Sequence, residues 1–183
     1  MMRNKIALAF ILLTPILVVV FSSLYFVMGY APEGTKNEGV FFKEYFNVSE
    51  LGVYQDDKLI SFDDGKWILG IYITDTAKAN KSLYLMRQLN IALNRDIFKI
   101  KRAIFFNDTT IDAALSEIIN EYPRIELYKD STNNFFQKLQ ENSAVDLVVE
   151  NPIFVIDPYG RVVMYFDTDL NPKKMLKDLK VLI

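Results

Sequence analysis

The sequence predicts an α/β domain, a central mixed β-sheet flanked by helices, carried behind one N-terminal transmembrane helix. Three observations carry that prediction. An uncharged apolar run from Ile6 to Tyr30 opens the chain. A buried strand, an amphipathic helix and a second buried strand follow between Trp67 and Phe106. A hairpin between Ile153 and Phe166 then leads into a capped terminal helix.

The leading run, IALAFILLTPILVVVFSSLYFVMGY, holds about 25 residues, and at ~1.5 Å each it exceeds the roughly 30 Å hydrocarbon core, so it spans with tilt. Pro15 is a kink position, and Thr14, Ser22 and Ser23 can bond back to helix carbonyls as transmembrane helices tolerate. Tyr25 and Tyr30 stand where an interfacial aromatic belt belongs. The competing reading is a cleaved signal peptide. It requires an apolar stretch of only ~7–15 residues followed by a small-residue cleavage site, and this run is longer and lacks a good one. Arg3, Lys5 and the amino terminus, set against Lys36 and Lys43, favour a cytoplasmic N-terminus and an exported domain. The chain thus divides into an anchor over 1–30, a turn-rich juxtamembrane linker over 31–40 and a folded domain over 41–183.

The 183 residues, 51% hydrophobic and 14% aromatic, suit one folded domain with its own core beyond the anchor. With 21 Lys+Arg against 23 Asp+Glu the net charge is -2, and no basic stripe exists for a phosphate backbone, which excludes nucleic acid as an expected partner. The chain contains no cysteine and no histidine. That absence does not fix a redox compartment, but it excludes thiol chemistry, Ser-His-Asp triads, zinc-thiolate sites and His-ligated copper, haem or iron.

In the folded part, Phe41 to Asp64 mixes short apolar runs with turn signals, and Asp63-Asp64-Gly65 launches the next strand. Trp67 to Ile73 is almost continuously apolar, as a strand covered on both faces must be. Between Thr76 and Asn94, Leu85, Met86, Leu89, Ala92 and Leu93 form one helical stripe, with Arg87, Asn90 and Asn94 outside it. Ile100 to Phe106 is the second buried strand. Ile111, Leu115, Ile118, Ile119 and Tyr122 repeat the helical stripe behind Thr109 or Thr110 as cap, with Pro123 past the end. Ile125 to Tyr128 predicts a short strand, and Ser131 is placed to cap a helix carrying Phe135, Phe136 and Leu139. Ile153 to Ile156 and Val162 to Phe166 are joined by Asp157-Pro158-Tyr159-Gly160, a tight-turn sequence. Asn171 caps a final helix with Pro172 at its first position and Met175, Leu176, Leu179 and Leu182 as its buried stripe. This order, βαβ followed by short connections, a hairpin and a terminal helix, is the thioredoxin-like order.

Four segments stand in sequence along the chain: Trp67 with its strand, Ser82-Leu83-Tyr84-Leu85-Met86-Arg87-Gln88, Val155-Ile156-Asp157-Pro158-Tyr159-Gly160, and Met175-Leu176-Lys177-Asp178-Leu179-Lys180. Together with Gly34-Thr35-Lys36-Asn37-Glu38-Gly39 after the anchor, the set resembles the cytochrome-oxidase-associated membrane proteins of proteobacteria. That branch is similar to the SCO/SenC copper-chaperone family with its thioredoxin-like fold. The resemblance implies a bacterial inner-membrane protein with a periplasmic domain, and cytochrome oxidase subunits or assembly factors as partners. It also implies a pair of cysteines three residues apart close to where this chain has Asp75 and Ala79, and a copper-ligating histidine near Val149 to Asn151. Both cysteines and the histidine are missing here, so neither disulfide exchange nor the soft-ligand copper site survives and no cofactor is expected.

Asp75 at the start of the first helix has two readings, an acid over an old active-site cleft or an ordinary helix cap, and the cap is the commoner role. Pro152 matches the place where thioredoxin-like folds set a cis-proline beside that cleft. Met86 and Met164 fall inside apolar runs, where methionine packs rather than ligates. Arg87 and Gln88, off the helix stripe, face either solvent or a partner. Asp56, Asp57, Asp63 and Asp64 lack calcium-loop spacing and read as turns. The resulting expectation is a membrane-anchored, non-catalytic domain acting through protein contacts in assembly or maintenance of a haem-copper oxidase. Two rivals remain: an interaction module of another envelope complex, and an enzyme working with carboxylates alone.

Overall fold

A computed structural model describes residues 2–28, 37–62, 64–107, 117–118 and 120–183. It divides into two units, Met1–Lys36 and Asn37–Ile183. Tyr30, the linker residues 31–36 and Asp63 lie outside the described residues, as do Thr109, Thr110, Ile111, Leu115 and Ile119 of the expected middle helix.

The first unit holds helix α1, Met2–Val27, with Pro15 inside it. The Thr14 hydroxyl donates to the Phe10 carbonyl at 2.6 Å, back-bonding one turn upstream of the ring. Its stretch Ala9–Val27 is long and apolar enough to cross a membrane, and large side chains such as Phe10, Leu12, Phe21 and Val27 are exposed along it.

The second unit is an eight-stranded mixed sheet covered on both faces. Its strands are β1 (Val40–Asn47), β2 (Val53–Gln55), β3 (Lys58–Leu59), β4 (Trp67–Ile73), β5 (Ile100–Phe106), β6 (Ile125–Asp130), β7 (Ile153–Ile156) and β8 (Arg161–Phe166), in the order β1-β8-β7-β4-β5-β6-β2-β3. β4, β5 and β6 run parallel, with Gly70 beside Ala103 and Ala103 beside Glu126. β7 joins β4 antiparallel, and β8 and β1 continue that edge. Among the described residues the helices include α2 (Thr76–Ala92), α3 (Asn134–Asn142), the single turn α4 (Leu147–Glu150) and α5 (Pro172–Leu182), and residues 117–118 and 120–121 are helical as well.

The strand period assigns residues to two cores. Leu69, Ile71, Ile104, Val155 and Met164 meet Leu83, Met86 and Leu89 of α2 and Met175 and Leu179 of α5. Ile118 and Tyr122, from the expected middle helix, join this core. On the other face Ile68, Tyr72, Phe105, Phe154 and Ile156 meet Phe135 and Leu139 of α3 and the side chains of Phe42, Phe46 and Val53. Met86 and Met164 are both wholly buried.

Turn chemistry sets the strand connections. Asp157 accepts hydrogen bonds at Oδ1 from the amides of Tyr159 and Arg161, both at 2.9 Å, while Gly160 takes φ 81°. Asp56 and Asp57 adopt φ 47° and 61° between β2 and β3, the left-handed pair that a two-residue hairpin requires. Asn171 caps α5 by accepting from the Lys173 amide at 2.9 Å.

Two local expectations, the stripe of α2 and the cap of α3, are corrected. Asn90 is buried and Ala92 exposed, because the stripe of α2 runs through Ser82, Leu83, Met86, Leu89, Asn90 and Leu93. At the end of that stripe the Asn90 amide reaches the Ile100 carbonyl at 3.5 Å. Ser131 does not cap α3; Asn133, left-handed at φ 61°, starts that helix without a side-chain cap, and the buried Asp130 carboxylate instead accepts from the Phe136 amide at 3.0 Å. The Asn151–Pro152 bond is trans, as are all described peptide bonds. Asn151 turns the chain in left-handed geometry at φ 44°, its amide closing α4 on the Leu147 carbonyl at 3.1 Å.

Candidate functional site

The parallel strand β4 delivers the chain at its C-terminal end to Thr74 and Asp75, and α2 begins at the next residue. Asp75 is exposed at that helix start, where the dipole and unsatisfied amides favour a carboxylate. Ala79, one turn on, is wholly buried and its methyl belongs to the core facing α2. Pro152 is buried just ahead of β7. Continuing the β4–β7 register, in which Gly70 lies beside Phe154, sets Pro152 alongside the C-terminal end of β4.

Two hydrogen bonds draw these pieces together. The buried Ser82 hydroxyl donates to the Asn151 carbonyl at 2.6 Å, and the Lys78 ammonium reaches the Val148 carbonyl at 3.3 Å. The first turns of α2 and the approach to β7 are therefore neighbours, and Asp75, Ala79 and Pro152 frame one corner of the sheet. Ser82 escaped the sequence reading although it shares the helical stripe of Leu85, Met86 and Leu89, a spacing that marks it as inward-facing. Asn151 had no such signal; its side-chain Oδ1 is buried without a hydrogen-bond partner.

The corner lacks sulfur and imidazole reagents. No thiol or imidazole exists in the chain, and among the described residues no group of three or more acidic, His or Cys side chains could hold a metal ion. Where the resemblance implies a copper-binding histidine, Val149 is exposed and Asn151 buried. A second buried polar group lies across the sheet. Tyr72 donates to Asp130 Oδ2 at 3.1 Å, and burial followed by the Asp130 charge pushes the tyrosine pKa far up. Asp130 is wholly enclosed with Oδ1 unpaired; it fixes α3 to the sheet and offers no surface to a substrate. Arg87 and Gln88 are exposed on α2.

A mixed sheet between two helical layers, with a helix launched from the central parallel strand and a proline beside its start, defines a thioredoxin-like domain, here without the sulfur chemistry of that class. The family model of the transmembrane-like, thioredoxin-like C-terminal domain matches residues 74–183, and the chain belongs to that family. No curated protein matches it in sequence. Among solved structures it is similar to BsSco, a member of the Sco family of cytochrome c oxidase assembly proteins, at 14% identity and TM-score 0.52, covering 80% of this chain and 96% of that one. It is also similar to the apo Sco1 protein from Thermus thermophilus, at 13% identity and TM-score 0.54, covering 84% of this chain and 100% of that one. At such identities the likeness is one of fold.

Proposed function

We propose that this chain is a membrane-anchored, non-catalytic thioredoxin-like protein that takes part in assembly or maintenance of a haem-copper oxidase through protein contacts. One observation carries the reading: at the helix start where a thioredoxin-like fold holds its reactive pair, this chain has an exposed carboxylate, Asp75, and a buried methyl, Ala79. A fold kept without its reagents retains its surfaces. The shared fold with Sco proteins supports the oxidase as the partner complex.

In this reading residues 1–30 anchor the protein in the bacterial inner membrane with a cytoplasmic N-terminus, 31–40 link, and 41–183 form the periplasmic domain. Asp75, Ala79 and Pro152 are the remnant of an active site, and Arg87 and Gln88 face a partner. The test is affinity purification of the tagged full chain from solubilised native membranes. Oxidase subunits or assembly factors are expected in the eluate, and their consistent absence would overturn the oxidase assignment. Reporter fusions at the C-terminus check the topology, with a periplasm-active reporter expected to respond and a cytoplasm-active one expected to stay silent.

A further inference from the structure

The end of the sheet opposite Asp75, where β4, β5 and β6 begin, carries a cavity of about 150 Å³ bordered by Lys66, Asn90, Arg102, Arg124 and Glu126. Arg102 sits on β5 among core residues at 8% exposure. Its Nη2 donates to the Pro123 carbonyl at 2.6 Å, while Nη1 is buried with no hydrogen-bond partner. A buried guanidinium with an unused donor is an unfavourable arrangement unless an acceptor arrives.

The surroundings make the arrangement worse. Burial, then the like charges of Arg87 and Arg124, hold the Arg102 pKa below its ordinary value. Among the described residues no ion pair neutralises Arg87 or Arg124. The one carboxylate bordering the cavity, Glu126, is already engaged, accepting at 3.2 Å from Lys101, which borders the same cavity, and from the Tyr128 hydroxyl. Nothing in the described chain supplies the missing acceptor.

We propose that this cavity is a binding site for one phosphate group, held by Arg102 and Arg124 with Arg87 adding charge from α2. Guanidinium forks match the oxygens of a phosphate, and a cluster of uncompensated cations suits a phosphate, whose charge is spread over several acceptor oxygens, better than a single carboxylate. The volume admits a phosphate but falls well short of the ~300 Å³ at which sites for larger ligands begin. Nη1 has no exposed surface, so an anion reaches it only when neighbouring side chains part; Arg124, which borders the same cavity, is exposed and stands in a left-handed turn at φ 65°.

The experiment is thermal unfolding of the full chain in a neutral detergent, titrated with inorganic phosphate against chloride at constant ionic strength. A saturable rise in Tm is expected with phosphate, and R124Q and R87Q should each weaken the apparent affinity about tenfold. Both side chains are exposed, so these variants should fold; R102Q, which also loses the bond to Pro123, is not relied on. Absence of a saturable rise, or an unchanged response in both variants, would overturn the site. Repeating the titration in phosphatidylcholine and phosphatidylglycerol bilayers separates two sources of the same chemistry. A response abolished only by phosphatidylglycerol assigns the site to a lipid headgroup, and a response equal in both assigns it to a soluble phosphate compound.

Discussion

Replacing Asp178 should loosen the folded domain where β1 begins. This carboxylate, 3% exposed on α5, accepts at Oδ2 from the amides of Glu38 and Gly39 at 2.7 and 2.9 Å. Lys174 pairs with Glu38 at 2.9 Å, so one face of α5 holds the residues just ahead of β1. Hydrogen bonds to a charged group are worth about 1.5–3 kcal/mol each, and the Gly39 amide is buried, whereas the Glu38 amide can rehydrate in part. D178A should therefore cost about 3–4 kcal/mol, a large share of the ~5–15 kcal/mol that stabilises a typical domain. D178N keeps an acceptor oxygen and should cost about half as much, because only charge assistance is lost. The assay is urea unfolding of the full chain in mild detergent, followed by fluorescence of Trp67, the single tryptophan, which is half-buried on β4. At about 3 °C per kcal/mol, D178A should also melt roughly 10 °C lower. A D178A protein within about 0.5 kcal/mol of the parent would refute the reasoning, since it would mean that these amides do not depend on the carboxylate.

The other predictions concern the sheet and the corner beside Pro152. A Cβ at Gly70 would stand 2.4 Å from Phe154 Cε2 and 3.0 Å from Phe105 Cε2. G70A should thus destabilise by about 1–3 kcal/mol by overpacking, and F154L in the same chain should recover part of the loss; a G70A protein as stable as the parent would contradict the packing. Y72F leaves the enclosed Asp130 with one donor instead of two, and should cost about 1–3 kcal/mol in the same urea assay. S82A removes the tie from α2 to the Asn151 carbonyl and should cost about 1 kcal/mol, with faster hydrogen exchange in α4 as the local readout. Burial raises the Asp64 pKa, but the hydrogen bonds from Lys101 and the Lys66 amide outweigh it and hold the value below 3.8. Burial likewise lowers Lys101, yet Asp64 and Glu126 hold it above 10.5. The carboxylate contribution is therefore present above pH 3.8 and lost as pH falls through the lower folded value, and the ammonium contribution is present below pH 10.5 and lost as pH rises through the higher one. K101M should flatten stability at both limits, and added salt should mimic it weakly because these groups are partly exposed.

Features whose cause lies within a few residues were legible in the chain. The uncharged run of α1, the apolar strands Trp67–Ile73 and Ile100–Phe106, the Asp157-to-Gly160 turn and the Asn171 cap all depend on local periodicity, side-chain type or backbone geometry. The absence of cysteine and histidine settled by itself that no thiol-disulfide chemistry occurs here. Tertiary structure decided what depends on distant partners. β1 finds β8 more than a hundred residues away, with an irregular register between Phe41 and Phe46 that obscures strand alternation. Asn90, Arg102 and Asp178 are polar residues in or beside apolar runs, and sequence pattern places such residues on the surface by default. Their burial is favourable only where an acceptor or donor meets them, at the Ile100 carbonyl, the Pro123 carbonyl and the Glu38 and Gly39 amides. Those partners come from elsewhere in the chain, so local sequence does not specify them. The fold brings each pair together, and only then does a buried polar group become stable.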